Sequence, residues 1–252
     1  TMDYGPFGWM DQYDPYFAKW VGSGEHFAFM NQPGAGLANF AVLAASVAPL
    51  LEGGEEEAQA IVEEAQGVME TAVADTWRRK LGLTPDQRAD AAKLFDYDLE
   101  PLMRSSEVDY TMMWRQLADV AELDDDVSDE DLFAPLADAF YAAPAADEAK
   151  KWKNFLRKWR AVALLEHEGD AAAAAAAVAA RVRAENPKYV LREWMLVEAD
   201  TAAKEKDDFG PTHELFALTS APYDEGSEEM RDKYYKRAPD AALSAGGTAF
   251  MS

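Results

Sequence analysis

The chain has 252 residues, 49% hydrophobic and 12% aromatic, a globular composition with room for one large domain or two small ones. Its 24 Lys and Arg stand against 47 Asp and Glu, a formal net charge of −23. A surface of that sign repels phosphate backbones and anionic lipid, so neither nucleic acid nor a membrane is an expected partner. Cysteine is absent, which excludes disulfides, thiolate nucleophiles and Cys-ligated metals from this chain.

The chain opens at Thr1 inside a loop, which reads as the middle of a longer protein, and its first residues do not have the pattern of a signal peptide. Residues 1–31 are punctuated by Gly5, Pro6, Gly8, Pro15, Gly22 and Gly24 with aromatics between them, the pattern of a long anchored loop. From Pro33 the pattern turns helical. Leu37, Phe40, Ala41, Ala44 and Val47 recur at spacings of three and four, ending near Pro49 and Gly53. A second helix is predicted from about Glu55 to Leu81, with acidic residues in its first turn and Arg78, Arg79 and Lys80 in its last, both suited to the helix dipole. No stretch is read as approaching the roughly 18 apolar residues of a membrane span.

Thr84-Pro85-Asp86-Gln87 predicts a helix start: Thr as N-cap, Pro behind it, Gln three residues after the cap. Tyr110, Met113, Trp114, Leu117 and Val120 mark one face of a helix opening near Asp109. The acidic run from Glu122 to Asp131 reads as a solvated linker. Trp152, Phe155, Leu156, Trp159 and Val162 form the apolar stripe of the next helix. The basic residues from Lys150 to Arg160 are expected to form a solvated face paired with the acidic excess. The alanine run Ala171–Ala177 continues to Arg181 and Arg183 as another helix. Asn186-Pro187 is expected to cap a helix that turns Val190, Leu191, Trp194 and Met195 inward. A short helix from Gly210-Pro211 to about Leu218, a turn at Ala221–Asp224 and a helix near Glu228–Arg237 complete the chain. No run of alternating β-branched residues occurs, so the class is mainly α, with room for a short strand or two at the start. Trp114, Trp152, Trp159 and Trp194 are expected in the core.

His26, His167 and His213 are scattered and form no HExxH or comparable ligand pair. The chemistry-bearing candidate is Asp3-Tyr4-Gly5, an Asp followed by an aromatic and a glycine at the mouth of a long loop. It resembles the Asp-Phe-Gly element of kinase-like folds, whose carboxylate holds the Mg²⁺ bridging nucleotide phosphates. Asp208-Phe209-Gly210 spells that triplet literally, but it follows an acid- and lysine-rich helix end and is expected to be a turn between helices.

The longer string Asp3-Tyr4-Gly5-Pro6-Phe7-Gly8-Trp9-Met10-Asp11-Gln12-Tyr13-Asp14-Pro15 resembles the signature DYGPFGF-x-D-x-Y-D-P of the selenoprotein O family. Asn31-Gln32-Pro33-Gly34-Ala35-Gly36-Leu37-Ala38-Asn39, Val108-Asp109-Tyr110-Thr111, Asn186-Pro187-Lys188-Tyr189-Val190-Leu191-Arg192 and Ala221-Pro222-Tyr223-Asp224-Glu225 are similar, in order, to further motifs of that family. The resemblance implies the C-lobe of a protein-kinase-like fold with additional C-terminal helices. Residues 1–31 would then carry a metal-binding Asp and an activation-type loop, and residues 33–252 the helical region. It implies a pseudokinase that binds ATP inverted, with Mg²⁺ or Mn²⁺, and transfers AMP to Ser, Thr or Tyr hydroxyls of proteins. Asp3 falls on the residue that coordinates the metal and approaches the ATP phosphates. The family's Asp-Asn pair, its nucleotide-binding Lys, Glu and Arg residues and its glycine-rich loop would all precede Thr1. The isolated chain is therefore expected to be inactive, with no catalytic residue of its own. Two other readings stand beside it: a non-catalytic helical binding or regulatory module, and an enzyme that transfers phosphoryl groups.

This sequence departs from the family in three respects. Many bacterial members carry a redox cysteine after DYGPFG, where this loop reads Phe17-Ala18-Lys19-Trp20. The acidic insert and the alanine run are read as its own additions. Gly246–Ser252 resembles the stretch before the family's terminal cysteine or selenocysteine, so Ser252 reads either as an artificial end or as a natural truncation. Family membership implies a mitochondrial location in eukaryotes and a cytoplasmic one in bacteria.

Overall fold

A computed structural model describes residues 10–17, 28–165 and 170–243. Asp3, His26, His167 and the tail 244–252 lie outside the described residues. Among the described residues the protein is mainly α-helical and no strand forms. The two extended pairings are isolated bridges, Gln12 with Asp109 and Val108 with Phe140.

A 3₁₀ turn, Phe29–Asn31, leads into α1 (Gln32–Val47), which has Pro33 in its first turn and tightens to 3₁₀ over Ala48–Leu50. α2 (Gly54–Lys80) begins with Glu55, Glu56 and Glu57 and ends with Arg78, Arg79 and Lys80, so charge opposes the dipole at both ends. The two helices pair through a small core of Ala44, Ala48 and Ala58, backed by Leu51 and Val62. Phe29–Leu50 is, by length and composition, apolar enough to cross a membrane, with mean hydropathy 1.4 in its best window. That corrects the reading that no stretch approaches a span. Glycine, Asn31, Gln32 and Asn39 look like interruptions, yet none carries charge, and the run contains no Asp, Glu, Lys or Arg. Only 11% of that window is buried, and Val42, Leu43 and Leu50 are exposed.

The main core begins where α2 ends. Thr84 and Gln87 form the expected capping box, with the Thr84 N–H donating to Gln87 Oε1 at 2.9 Å. A 3₁₀ turn there precedes α3 (Arg88–Lys93). A π-helical turn, Leu94–Leu99, then α4 (Glu100–Ser105) lead to α5 (Tyr110–Ala121), α6 (Asp129–Phe133), α7 (Ala146–Ala163) and α8 (Ala171–Glu185). Trp114, Trp152, Trp159, Phe95 and Phe155 are fully buried between these elements. Two of the indoles are answered inside the core: Trp152 Nε1 donates to Ser106 Oγ and Trp159 Nε1 to Leu81 O, both at 2.9 Å.

Gly82 makes the sharp exit from α2 at φ 67°, and a Cβ there would lie 2.6 Å from Val182 Cγ2 and 3.1 Å from Val178 O on α8. Left-handed backbone and close approach both require glycine at this position. Gly82→Ala is expected to destabilise the protein by about 1–3 kcal/mol. Urea denaturation checks this, and a loss below about 0.5 kcal/mol, the range of an ordinary surface substitution, would mean that α8 gives way freely.

The acidic run is only in part a linker. Ser128 caps α6, its hydroxyl accepting from Asp131 N at 3.1 Å, so Asp129–Asp131 form a helical first turn where acids suit the dipole. The basic face of α7 pairs with acids as expected: Lys153 with Glu130 at 2.8 Å, Arg157 with Asp129 at 3.0 Å, Lys158 with Asp98 at 2.7 Å. Arg160 departs from that face. It is buried, and it donates to the carbonyls of Val120 and Leu123 at 2.7 Å, closing the C-terminal end of α5.

Asn186-Pro187 does not cap a helix. Residues 186–192 run without helix and α9 (Glu193–Lys206) starts after Arg192. The Asn186 side chain is engaged elsewhere, donating to Lys80 O and Val182 O at 2.8 and 2.9 Å. α10 (Gly210–Ser220), α11 (Glu228–Tyr234) and α12 (Asp240–Leu243) finish the fold. Trp194, Met195, Leu215, Leu218 and Tyr234 form a second, smaller core. Asp207, left-handed at φ 53°, ends α9, and Asp208 Oδ1 accepts from Gly210 N at 2.9 Å. The literal Asp-Phe-Gly is thus a turn between helices.

Candidate functional site

The metal-binding candidate Asp3 is outside the described residues; the segment that follows it is held in detail. Tyr13 N donates to Val108 O at 3.2 Å and Tyr110 N to Asp11 O at 2.9 Å, which lays the 10–17 stretch along the entrance to α5. Asp109, wholly buried, caps α5 by accepting from Met112 N at 2.9 Å. Arg192 closes on the same carboxylate with both terminal nitrogens, at 2.5 and 2.8 Å, and its Nη1 also reaches Asp11 Oδ1 at 2.7 Å. The Tyr141 hydroxyl donates to Asp109 Oδ2 at 3.3 Å.

Burial works against the Arg192 charge, but Asp109 and Asp11 outweigh it and hold the guanidinium protonated well above the ordinary arginine range. A planar fork suits two carboxylates in a way that a lysine would not. Burial, with the fields of Asp109 and Asp11 beside it, pushes the Tyr141 phenol up, so it stays a neutral donor.

A second cluster sits on the other side of the 186–192 segment. Lys188 and Tyr189 donate their backbone N–H groups to Pro222 O at 2.8 and 3.1 Å. Glu225 receives Lys188 Nζ at 2.7 Å and Arg115 Nη2 at 2.5 Å, while Arg115 Nη1 donates to Asn186 O at 3.0 Å. Partial desolvation disfavours ionised Glu225, yet the Lys188 and Arg115 bonds hold its carboxyl below the usual range. Four of the five sequence motifs therefore meet through the 186–192 segment: the first through Asp11 and the third through Asp109, both on Arg192, and the last through Glu225 on Lys188.

Among the described residues no group of three or more His, Asp or Glu side chains could hold a metal ion. Asp11 and Asp109 do not serve as such ligands, because Arg192 already answers their charge. Sequence reasoning used Asp11, Asp109 and Arg192 as motif markers and assigned them no role. Asp109 before a helical stripe was a legible N-cap; nothing in the sequence announced that Arg192 would reach it across 83 positions.

The spaced motifs are thus brought together on one helical body, and the family model described as Protein adenylyltransferase SelO matches residues 1–220. The chain belongs to that family. It is 31% identical over its whole length to the protein nucleotidyltransferase YdiU of Xanthomonas campestris pv. campestris (strain B100), covering 46% of that protein. It is 32% identical over 96% of its length to that of Cupriavidus metallidurans, and 30% over its whole length to that of Flavobacterium johnsoniae, covering 43% and 46% of them. The chain thus spans about half the length of the curated relatives it matches. These relatives are bacterial, and they lend no support to the mitochondrial alternative.

Proposed function

We propose that this chain is the C-terminal part of a Mg²⁺- or Mn²⁺-dependent protein adenylyltransferase of the cytoplasm. It would transfer AMP from ATP to Ser, Thr or Tyr hydroxyls of protein substrates. The observation that carries the reading is the family match across residues 1–220, which includes the whole string that begins at Asp3. In this reading the C-lobe of a kinase-like fold supplies the Asp3 carboxylate to the metal, and the metal neutralises phosphate charge. The Arg192 cluster holds, through Asp11, the 10–17 stretch, the stem that follows Asp3 in the sequence. The substrate hydroxyl oxygen attacks the α-phosphorus, the bond from that phosphorus to the oxygen bridging to the β-phosphate breaks, and pyrophosphate leaves. The hydroxyl proton passes to a base encoded before Thr1.

ATP labelled at either the α- or the γ-phosphate tests the reading on the full-length protein. The α-label is expected on an acceptor protein with release of pyrophosphate, and the 252-residue chain alone is expected to transfer neither. Transfer of the γ-label instead would reject the reading in favour of phosphoryl transfer.

A further inference from the structure

Beside the stem lies a cavity of about 300 Å³, at the lower end of the range for small-molecule sites. Its walls are apolar and aromatic: Met10, Phe17 and Phe29 from the loop flanks, Tyr110 and Trp114 from α5, Val190 from the segment before α9. Lys80, the last residue of α2, brings the cavity its one cation. Its Nζ donates to Asn186 Oδ1 at 2.7 Å and stands 4.7 Å from the Trp114 ring centre and 5.5 Å from that of Tyr110.

No carboxylate among the described residues contacts this ammonium. Glu185, the acid whose field reaches it, is bonded to Arg79 at 3.0 Å. In a chain with 47 acidic residues, a half-buried lysine answered by an amide oxygen and two ring faces, with no carboxylate in contact among the described residues, is an unusual economy. Desolvation pushes its pKa down to about 8, with Glu185 opposing. A second donor lies near it: the buried Trp114 indole N–H, on a residue 1% exposed, whose neighbouring acceptor is the Tyr110 hydroxyl oxygen.

We propose that the cavity binds a small monocarboxylate with an apolar body, the carboxylate on Lys80 and the body among Phe17, Phe29, Tyr110 and Trp114. One ammonium with the Trp114 indole beside it suits one negative charge. A phosphate would need more charged donors than one lysine, and two N–H groups in the first turn of α5 are already taken: Tyr110 N goes to Asp11 O and Met112 N to Asp109 Oδ1. A neutral apolar guest would leave Lys80 as unanswered as before. The proposal does not rest on the transfer chemistry.

Calorimetric titration of the 252-residue chain with octanoate and with octanol tests the proposal. Octanoate is expected to bind about tenfold or more tighter than octanol, and Lys80→Met to lose that margin. Octanoate adsorbed on the exposed face of α1 would be indifferent to Lys80 and matched by octanol. Lys80→Met also deprives Asn186 of its donor. Should that variant fail to fold, the indole N–H resonance of Trp114 in the unaltered chain, assigned with Trp114→Phe, gives the answer. It is expected to shift with octanoate and not with octanol. Equal binding of the two compounds, binding that Lys80→Met leaves intact, or an unmoved Trp114 resonance would each overturn the proposal.

Discussion

Replacing Arg192 by methionine is expected to cost about 3–5 kcal/mol of stability, the largest loss from any single polar substitution in the described structure. The side chain is 3% exposed and faces Asp109, which is wholly buried, and Asp11. Methionine would fill much of the same space, so the cost lies in two neighbouring carboxylates deprived of their cation. Asp109 would have to find water or take up a proton, and it could do the first only by leaving its cap on α5. Arg192→Lys should recover part of the loss, because one ammonium cannot bridge both acids as the fork does. Urea unfolding of the three proteins measures this. A cost for Arg192→Met near that of a surface substitution would show the carboxylates to be hydrated without it.

The second large effect is on activity. In the full-length protein, Asp3→Ala is expected to reduce transfer by about 10³-fold or more while the melting temperature stays unchanged. Removing a carboxylate that holds the metal removes several kcal/mol of charge stabilisation from the transition state, and about 1.4 kcal/mol corresponds to tenfold in rate. By its sequence context Asp3 belongs to no apolar stripe, so the fold is not expected to register its loss. Parallel loss of activity and thermal stability would make Asp3 a structural residue instead.

Local chemistry made much of this fold legible. The Thr84–Gln87 capping box, the charged ends of α2, the Trp152–Trp159 stripe and the turn at Asp208 all follow from interactions within a few residues, and they stand where the sequence puts them. The errors have a common cause in distant partners. Asn186 has the side chain of an N-cap, but Lys80 and Val182 claim it first. Arg160 belongs by spacing to a solvated face, yet the open carbonyls at the end of α5 draw it inward. Phe29–Leu50 reaches span-like hydropathy because its glycines, Asn31, Gln32 and Asn39 interrupt the apolar run without bringing any charge into it. The candidate site was legible as a set of motifs and not as a geometry. Asp11, Asp109 and Arg192 lie as much as 181 positions apart, and no periodicity encodes such a meeting.

The alanine core between α1 and the outer turns of α2 has a consequence for cooperativity. Three single methyl groups contribute far less burial energy than the tryptophans under α5 and α7. The outer hairpin is therefore expected to open as a unit of its own, with amide hydrogens that exchange faster than those under the tryptophan core. Its opening leaves the Arg192 cluster and the tryptophan core intact, since neither draws a buried side chain from α1. Changes on α1 are felt only within the hairpin, whereas a change at Gly82 or Arg192 reaches the entire molecule.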